Sequence, residues 1–275
     1  MFRLLIVVAN LAVGSAYADD LPAAQKDLTE FRSLWVGTWS NDRHVFFAED
    51  AGFTLENLAP QQEFRLVNGE KLQWVGDDGL VDVTTAVSGG QIKQVFRDSR
   101  GKETCRITWR RSGSQFAGQA TRRSCAALID WGTDEPRRAL DFALSPTELW
   151  VTERGDGRTA QFRRARPFSC WVAVLRGAEH GDSGRGINDW DFRRDVRLHD
   201  QGGIAVITTD EDVPRTVRLQ LRDVDWPYGN RRPSLTLYVL GEDDRAVSYS
   251  WTEGGADRIG INLRWLQASC TYDGD

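Results

Sequence analysis

The residues best suited to acid–base chemistry or metal binding are few and far apart. The chain has three histidines, His44, His180 and His199, and only His199 is followed directly by an acid, Asp200. Adjacent side chains on a strand face opposite sides, so this dipeptide predicts a turn more than a catalytic pair. Zinc-protease, serine-hydrolase, dinucleotide-binding and Walker motifs do not occur. The sequence therefore identifies no catalytic residue and predicts no bound metal.

A second group with chemical potential is acidic. Asp182, Asp189, Asp191 and Asp195 surround Trp190 in a polar, glycine-rich stretch. Paired carboxylates beside a tryptophan could serve a glycosidase. Charged residues in such a stretch more often keep a loop in solvent, and we favour that interpretation.

The four cysteines indicate two disulfides. None of their spacings is C-x-x-C, which argues against a redox motif, and they lie too far apart for a zinc site. Four cysteines allow three connectivities. Cys105 and Cys125 flank one predicted hairpin, whereas Cys170 opens the second half of the chain and Cys270 nearly ends it. We therefore predict the pairs Cys105–Cys125 and Cys170–Cys270.

The first 18 residues resemble a secretory signal. Arg3 precedes a short apolar run, and residues 16–18 read Ala-Tyr-Ala, an A-x-A cleavage site. The run is shorter than the roughly 20 residues that a transmembrane helix needs. We expect cleavage after Ala18 and a mature protein, free of membrane spans, in the periplasm or outside the cell.

Composition narrows the partners and the number of domains. The net charge is −5 with no basic stripe, which argues against nucleic acid. Eleven tryptophans among 275 residues suit β-sheet cores or a pocket that stacks flat ligands. The mature length fits two domains, which we place at 19–166 and 167–275.

Hydrophobic periodicity predicts an all-β protein with one short helix. Leu28, Phe31, Leu34 and Trp35 recur at helical spacing, and Gly37 ends this segment. Period-two alternation then predicts strands at 44–49, 63–67, 72–75, 80–87, 91–97, 104–110, 115–121, 139–144, 149–153 and 159–163. Ten antiparallel strands can close into a barrel without exposed edges. A smaller C-terminal β-domain follows, with predicted strands at 170–175, 195–198, 204–208, 216–221, 235–240, 246–251 and 259–266.

Two groups of residues carry a family resemblance. The first is LWVGTWSNDRH at 34–44, and the second is the set Cys105, Trp109, Phe116, Gly118 and Cys125. Both resemble the CpcT/CpeT family of phycobiliprotein chromophore lyases, with His44 where that family usually has glutamine. The C-terminal half resembles an extension found on exported bacterial relatives of those lyases.

The resemblance implies a lipocalin-like antiparallel barrel of about ten strands, with a cavity for an open-chain tetrapyrrole and no required cofactor or metal. Our first hypothesis is a binding protein for an apolar or tetrapyrrole-like small molecule. The candidate ligand-binding residues are the aromatics Trp39, Trp74 and Trp109 and the polar Asn41, His44 and Arg97. Two alternatives stay open: an active lyase that attaches a bilin to a protein cysteine, and a non-catalytic envelope protein with a protein partner or a second copy.

Overall fold

The computed structural model describes residues 23–50, 62–68, 72–76, 79–120, 125, 128–129, 139–155, 157–177, 186, 189–226, 232–241 and 243–274. At 49–50, 67–68, 72–76, 79–80 and 225 it describes the backbone. The predicted signal segment and His180 lie outside the described residues. No helix in the described ranges is long and apolar enough to cross a membrane.

Two helices precede or interrupt the first strands. Helix α1 spans Ala23–Trp35 and confirms the predicted helix, with Leu28, Phe31 and Trp35 on its buried side. Helix α2 spans Asp42–Asp50, so the predicted strand at 44–49 is wrong. Asn41 starts α2, because its carbonyl accepts the N–H of Val45, and Asp42 places a carboxylate at the positive end of the helix dipole.

The first ten strands form a closed antiparallel barrel. Its strands are β1 (Gly37–Ser40), β2 (Glu63–Asn68), β3 (Leu72–Gly76), β4 (Gly79–Ser88), β5 (Gln91–Arg97), β6 (Glu103–Ser112), β7 (Gln115–Ala120), β8 (Leu140–Leu144), β9 (Glu148–Glu153) and β10 (Thr159–Arg164). The ring closes because β1 pairs with both β2 and β10. The predicted β-barrel is therefore present, and β1, which was not predicted, takes the place of the wrong strand.

Eight further strands form two four-stranded sheets, in the orders β12-β11-β18-β17 and β13-β14-β15-β16. The strands are β11 (Pro167–Leu175), β12 (Trp190–His199), β13 (Gln201–Thr208), β14 (Thr216–Asp225), β15 (Pro233–Leu240), β16 (Ala246–Glu253), β17 (Arg258–Asn262) and β18 (Leu266–Tyr272). One apolar core joins residues of both sheets, so they form a sandwich. The single strand predicted at 259–266 is wrong, because Asn262 pairs back onto Gln267 and makes a hairpin.

Both predicted disulfides form. Cys105 is bonded to Cys125 in the barrel, and Cys170 to Cys270 in the sandwich. Cys170 and Cys270 are direct cross-strand partners of β11 and β18, so the pairing of the first and last sandwich strands is as expected. No cysteine is free.

Charged and polar contacts connect the barrel to the sandwich. Arg222 donates through Nε and Nη2 to the two carboxylate oxygens of Asp42, each at 2.9 Å. The Nε2 of His199 lies 2.8 Å from Oε2 of Glu63. Gly202, at φ +83°, lies so close to Asp42 that a Cβ there would be 2.4 Å from the carboxyl carbon. A glycine is therefore needed where sandwich and barrel meet.

Candidate functional site

Aromatic side chains dominate the described interior of the barrel. Fully buried rings from α1 and the strands contact one another, and Phe31 lies 5.0 Å from Trp109 and 5.3 Å from Phe116 between ring centroids. Helix α1 contacts β4 and β5, so it covers the barrel end at which the β4–β5 turn lies. The interior is thus an aromatic environment closed at one end by α1.

Four residues with polar side-chain atoms lie together in this aromatic interior. Thr85 on β4 and Gln94 on β5 are direct cross-strand partners, and both are buried. The indole N–H of Trp109 donates to Oε1 of Gln94 at 3.0 Å, and the ring of Trp35 packs edge-on against that of Trp109 at 5.3 Å. We call these four residues the interior polar cluster.

Three atoms of the interior polar cluster have no hydrogen-bond partner among the described residues. They are Nε1 of Trp35, Oγ1 of Thr85 and Nε2 of Gln94. Because Oε1 of Gln94 accepts a bond, its Nε2 carries two N–H donors, and the indole Nε1 carries another. An unpartnered buried polar group costs about 1–3 kcal/mol. Each of the two nitrogens can therefore donate to an oxygen acceptor, and the Thr85 hydroxyl can donate or accept.

A positive charge lies at the rim of this cluster. Arg32 of α1 donates through Nη2 to the backbone carbonyl of Thr85 at 2.5 Å. The guanidinium group therefore lies beside the strand that carries the unpartnered hydroxyl. A carboxylate oxygen would suit this arrangement better than a neutral donor group, since the cluster and Arg32 together offer mainly N–H groups.

No family model, curated protein or solved structure matches the chain. Any conclusion about function therefore rests on the geometry of the barrel interior.

The structure places two of the predicted ligand residues in the barrel interior. Trp39 and Trp109 are fully buried there, and Trp35 connects them, since the indole N–H of Trp39 donates to the Trp35 carbonyl at 3.1 Å. Arg97 lies on the outer surface, where Nη1 donates to Oγ1 of exposed Thr84. The side chain of Trp74 lies outside the described residues.

The other two predicted residues lie at α2. Asn41 is buried at the helix N-terminus, where its Oδ1 accepts the backbone N–H of Gln62 at 2.6 Å. His44 is half-buried on α2, and its Nδ1 accepts the backbone N–H of Gln161 of β10. Neither side chain joins the interior polar cluster, so the six candidates do not form a single site.

The environment of His44 predicts a pH effect on stability. Burial lowers the pKa of His44 below its ordinary value of 6.5, because a desolvated ring disfavours the charge. As the pH falls, His44 is protonated in the unfolded chain before it is protonated in the folded protein. The contribution of neutral His44 to the free energy of unfolding is therefore fully present above the unfolded pKa and is lost as the pH falls below it. His44→Gln keeps an acceptor without titrating. Between about pH 7.5 and pH 5.5, the free energy of unfolding of this variant should fall by less than that of the wild type. Urea titrations at the two pH values measure both changes, and an equal fall in the two proteins would contradict the prediction.

Sequence reasoning missed Trp35, Thr85 and Gln94 as site residues. A usable signal existed for two of them. Thr85 lies between Val83 and Val87, and Gln94 between Ile92 and Phe96, so each is a polar residue at an inward-facing position of an alternating strand. Nothing in the sequence marks the indole of Trp35, because its position depends on how α1 packs on the barrel.

Proposed function

We propose that the protein is an exported binding protein whose barrel holds one small, mainly apolar ligand by an oxygen acceptor. The observation that carries the proposal is the set of three unpartnered buried atoms in the interior polar cluster. Pockets for small molecules are mostly apolar with a few polar groups that orient the ligand. The barrel interior, with its aromatic side chains and a localised set of donors, has this composition.

The chemistry of the cluster favours a carboxylate or carbonyl oxygen on a flat or aliphatic body. The N–H groups of Trp35 and Gln94 would bond the oxygen, the hydroxyl of Thr85 would complete its coordination, and Arg32 would balance a negative charge. An open-chain tetrapyrrole with propionate groups fits this description and agrees with the resemblance to chromophore lyases. Because all four cysteines are in disulfides, we propose binding without a covalent bond to this chain.

Ligand binding is testable by the fluorescence of the interior tryptophans. Biliverdin, a linear tetrapyrrole dicarboxylate, and palmitate, an aliphatic carboxylate, are the two probes. We expect at least one of them to quench tryptophan emission saturably and to raise the melting temperature, since a ligand stabilises the state that binds it. If neither probe does so, the proposal fails for both ligand shapes.

Thr85→Val separates a ligand role from a structural one. Removing an unpartnered buried hydroxyl should raise the free energy of unfolding of the ligand-free protein by about 1 kcal/mol. The same change should raise the dissociation constant of the probe about tenfold, because one hydrogen bond to the ligand is lost. Chemical unfolding and fluorescence titration measure the two effects on the same variant.

The matched control is Thr84→Val. Thr84 is the preceding residue of β4, points outward and accepts a bond from Arg97. This variant should bind the probe like the wild type and should gain no stability. If Thr85→Val gains stability while its probe affinity stays unchanged, the cluster does not bind the ligand.

A further inference from the structure

An exposed tryptophan stands on the outer face of the sheet β12-β11-β18-β17. Trp171 of β11 lies between Cys170 and Val172, which both belong to the sandwich core, so its side chain points away from that core. It is 42% exposed, and Phe192 of β12, on the same face, is 52% exposed. Exposed aromatic surface of this size on a folded domain marks a binding surface when polar groups surround it.

The two aromatic side chains line one groove of about 620 Å³. This volume lies within the roughly 300–1,000 Å³ of sites that hold small molecules. Ser169 and Thr271 also line the groove, and Ser269 of β18 is the direct cross-strand partner of Trp171. Short hydroxyl side chains therefore surround the indole on the sheet, and its ring stands above them with its surface open to a flat ligand.

A β-bulge brings two oppositely charged side chains to this tryptophan. The register of β11 and β12 shifts at Trp171, so that two residues of β12, Arg194 and Asp195, lie opposite it. Asp195 has φ +57°, a conformation that is uncommon outside glycine and that aspartate and asparagine adopt more readily than most residues. Bulges change the direction of the side chains they carry. Both charged residues line the groove together with the indole.

Arg194 and Asp195 are the charged groups that this groove offers to a ligand. Arg193, the other arginine of the groove, donates to the carboxylate of Asp191 and to the backbone carbonyl of Thr208. The side chains of Arg194 and Asp195 are exposed and make no hydrogen bond or ion pair within the part of the chain that the structure describes. The guanidinium group only donates and the carboxylate only accepts. A ligand that satisfies both must therefore offer acceptors and donors side by side, without a net charge.

We propose that this groove binds a neutral glycan chain, with one sugar ring stacked on Trp171. The C–H groups on one face of a pyranose ring form a flat apolar surface, and the face of an indole, which carries partial negative charge, suits them. A sugar hydroxyl both donates and accepts, so neighbouring hydroxyls of that ring would accept from Arg194 and donate to Asp195. Phe192 would extend the apolar contact along the chain. This site is separate from the barrel interior.

Other polymers fit the groove less well. A peptide strand cannot add to β11, which is paired on both sides, and the edge of β12 carries a bulge and five charged side chains. A polyproline helix would stack on the indole, but it has no N–H group to donate to Asp195. A nucleic acid strand needs several cations without counter-charges, whereas the described part of the groove places Arg194 next to an aspartate.

Affinity electrophoresis of the full chain in native gels tests the proposal. The neutral probes are hydroxyethylcellulose, galactomannan and glycogen, and the comparison gels contain alginate, a polyanion, or poly-L-proline. We expect at least one neutral polysaccharide to retard the protein, and Trp171→Ala to raise its dissociation constant about tenfold, because the stacked ring loses its platform. Trp150→Ala is the matched control, since Trp150 is 43% exposed but lies on the barrel. It should be retarded like the wild type.

Asp195→Asn tests the charged contact while it keeps the bulge, because asparagine adopts a positive φ as aspartate does. The variant should keep the melting temperature of the wild type and raise the dissociation constant about fivefold, since a charged acceptor is lost. Asp244→Asn is the control, with φ +62° in the turn between β15 and β16. The proposal is overturned if no neutral polysaccharide retards the wild type, if only alginate or poly-L-proline does, if Trp171→Ala is retarded as strongly as Trp150→Ala, or if Asp195→Asn binds as tightly as Asp244→Asn.

Discussion

Replacing Cys170 and Cys270 together with serine is expected to lower the free energy of unfolding of the sandwich by about 4–5 kcal/mol. The disulfide spans 100 residues of sequence and joins β11 to β18, so it connects nearly the whole sandwich into one loop. In the chain-entropy model, such a bond limits the conformations of the unfolded chain, and its effect grows with the logarithm of loop length. The loss is a large share of the roughly 5–15 kcal/mol that stabilises a typical domain.

The measurement is urea unfolding of the double-serine variant, followed by near-ultraviolet circular dichroism. The matched comparison is the double-serine variant at Cys105 and Cys125, whose disulfide spans 20 residues in the barrel. The same model gives about 3 kcal/mol for that loop. Both disulfides are buried, so serine introduces a similar polar cost at each. Equal losses in the two variants would show that loop length does not set the difference.

Hydrophobic alternation predicted most of the barrel because its inner wall is apolar at nearly every second residue. In β7 the pattern of burial alternates without exception from Gln115 to Ala120. Hydrophobic alternation gave the wrong element at α2, because the run from His44 to Glu49 is short enough to fit the period of a helix or that of a strand. Asn41 lies where β1 ends and α2 begins, with its backbone carbonyl bonded to Val45 and its side-chain oxygen to the N–H of Gln62, and periodicity takes no account of such contacts.

The pairing of Thr85 with Gln94 in the interior polar cluster can be derived from the turn between β4 and β5. Gly89 and Gly90 have φ of +60° and +71°, as a two-residue hairpin turn of type I′ requires. With that turn fixed, Ser88 pairs with Gln91 and counting back pairs Thr85 with Gln94. The sequence therefore contains the pairing of two site residues. It does not contain the approach of Trp35 to Trp109, which depends on the packing of a helix over a barrel end.

The same pairing row shows how the barrel distributes its polar groups. Starting from Thr85 and Gln94, successive inward-facing partners on neighbouring strands are Ile107, Ala120, Leu140 and Glu153. The row is polar at both ends and apolar between them. Because strands in a barrel are tilted to its axis, the row climbs as it goes round. The β4–β5 and β9–β10 turns lie at opposite ends of the meander, so Glu153 lies at the end away from α1.

Glu153→Ala is expected to lower the free energy of unfolding of the barrel by about 3–5 kcal/mol. Glu153 is 1% exposed, and its Oε2 accepts bonds from Nε of Arg158 at 2.8 Å and from Nη2 at 2.5 Å. Removing the carboxylate leaves a buried guanidinium without this counter-charge, and a buried charge costs far more than an exposed one. Urea unfolding monitored by tryptophan emission measures the loss in the barrel.

A neighbouring exposed pair is the matched control. Arg154 donates through Nε and Nη2 to Asp141 with similar geometry, but both side chains are about two-fifths exposed. Asp141→Ala should cost at most about 1 kcal/mol, because solvent screens exposed ion pairs. Replacing both buried partners, as Glu153→Leu with Arg158→Met, should recover most of the loss, since an apolar pair needs no counter-charge. If Glu153→Ala costs no more than Asp141→Ala, burial does not set the strength of this pair. If the double variant is as unstable as Glu153→Ala, the barrel end requires the guanidinium itself and not only the neutralisation of its charge.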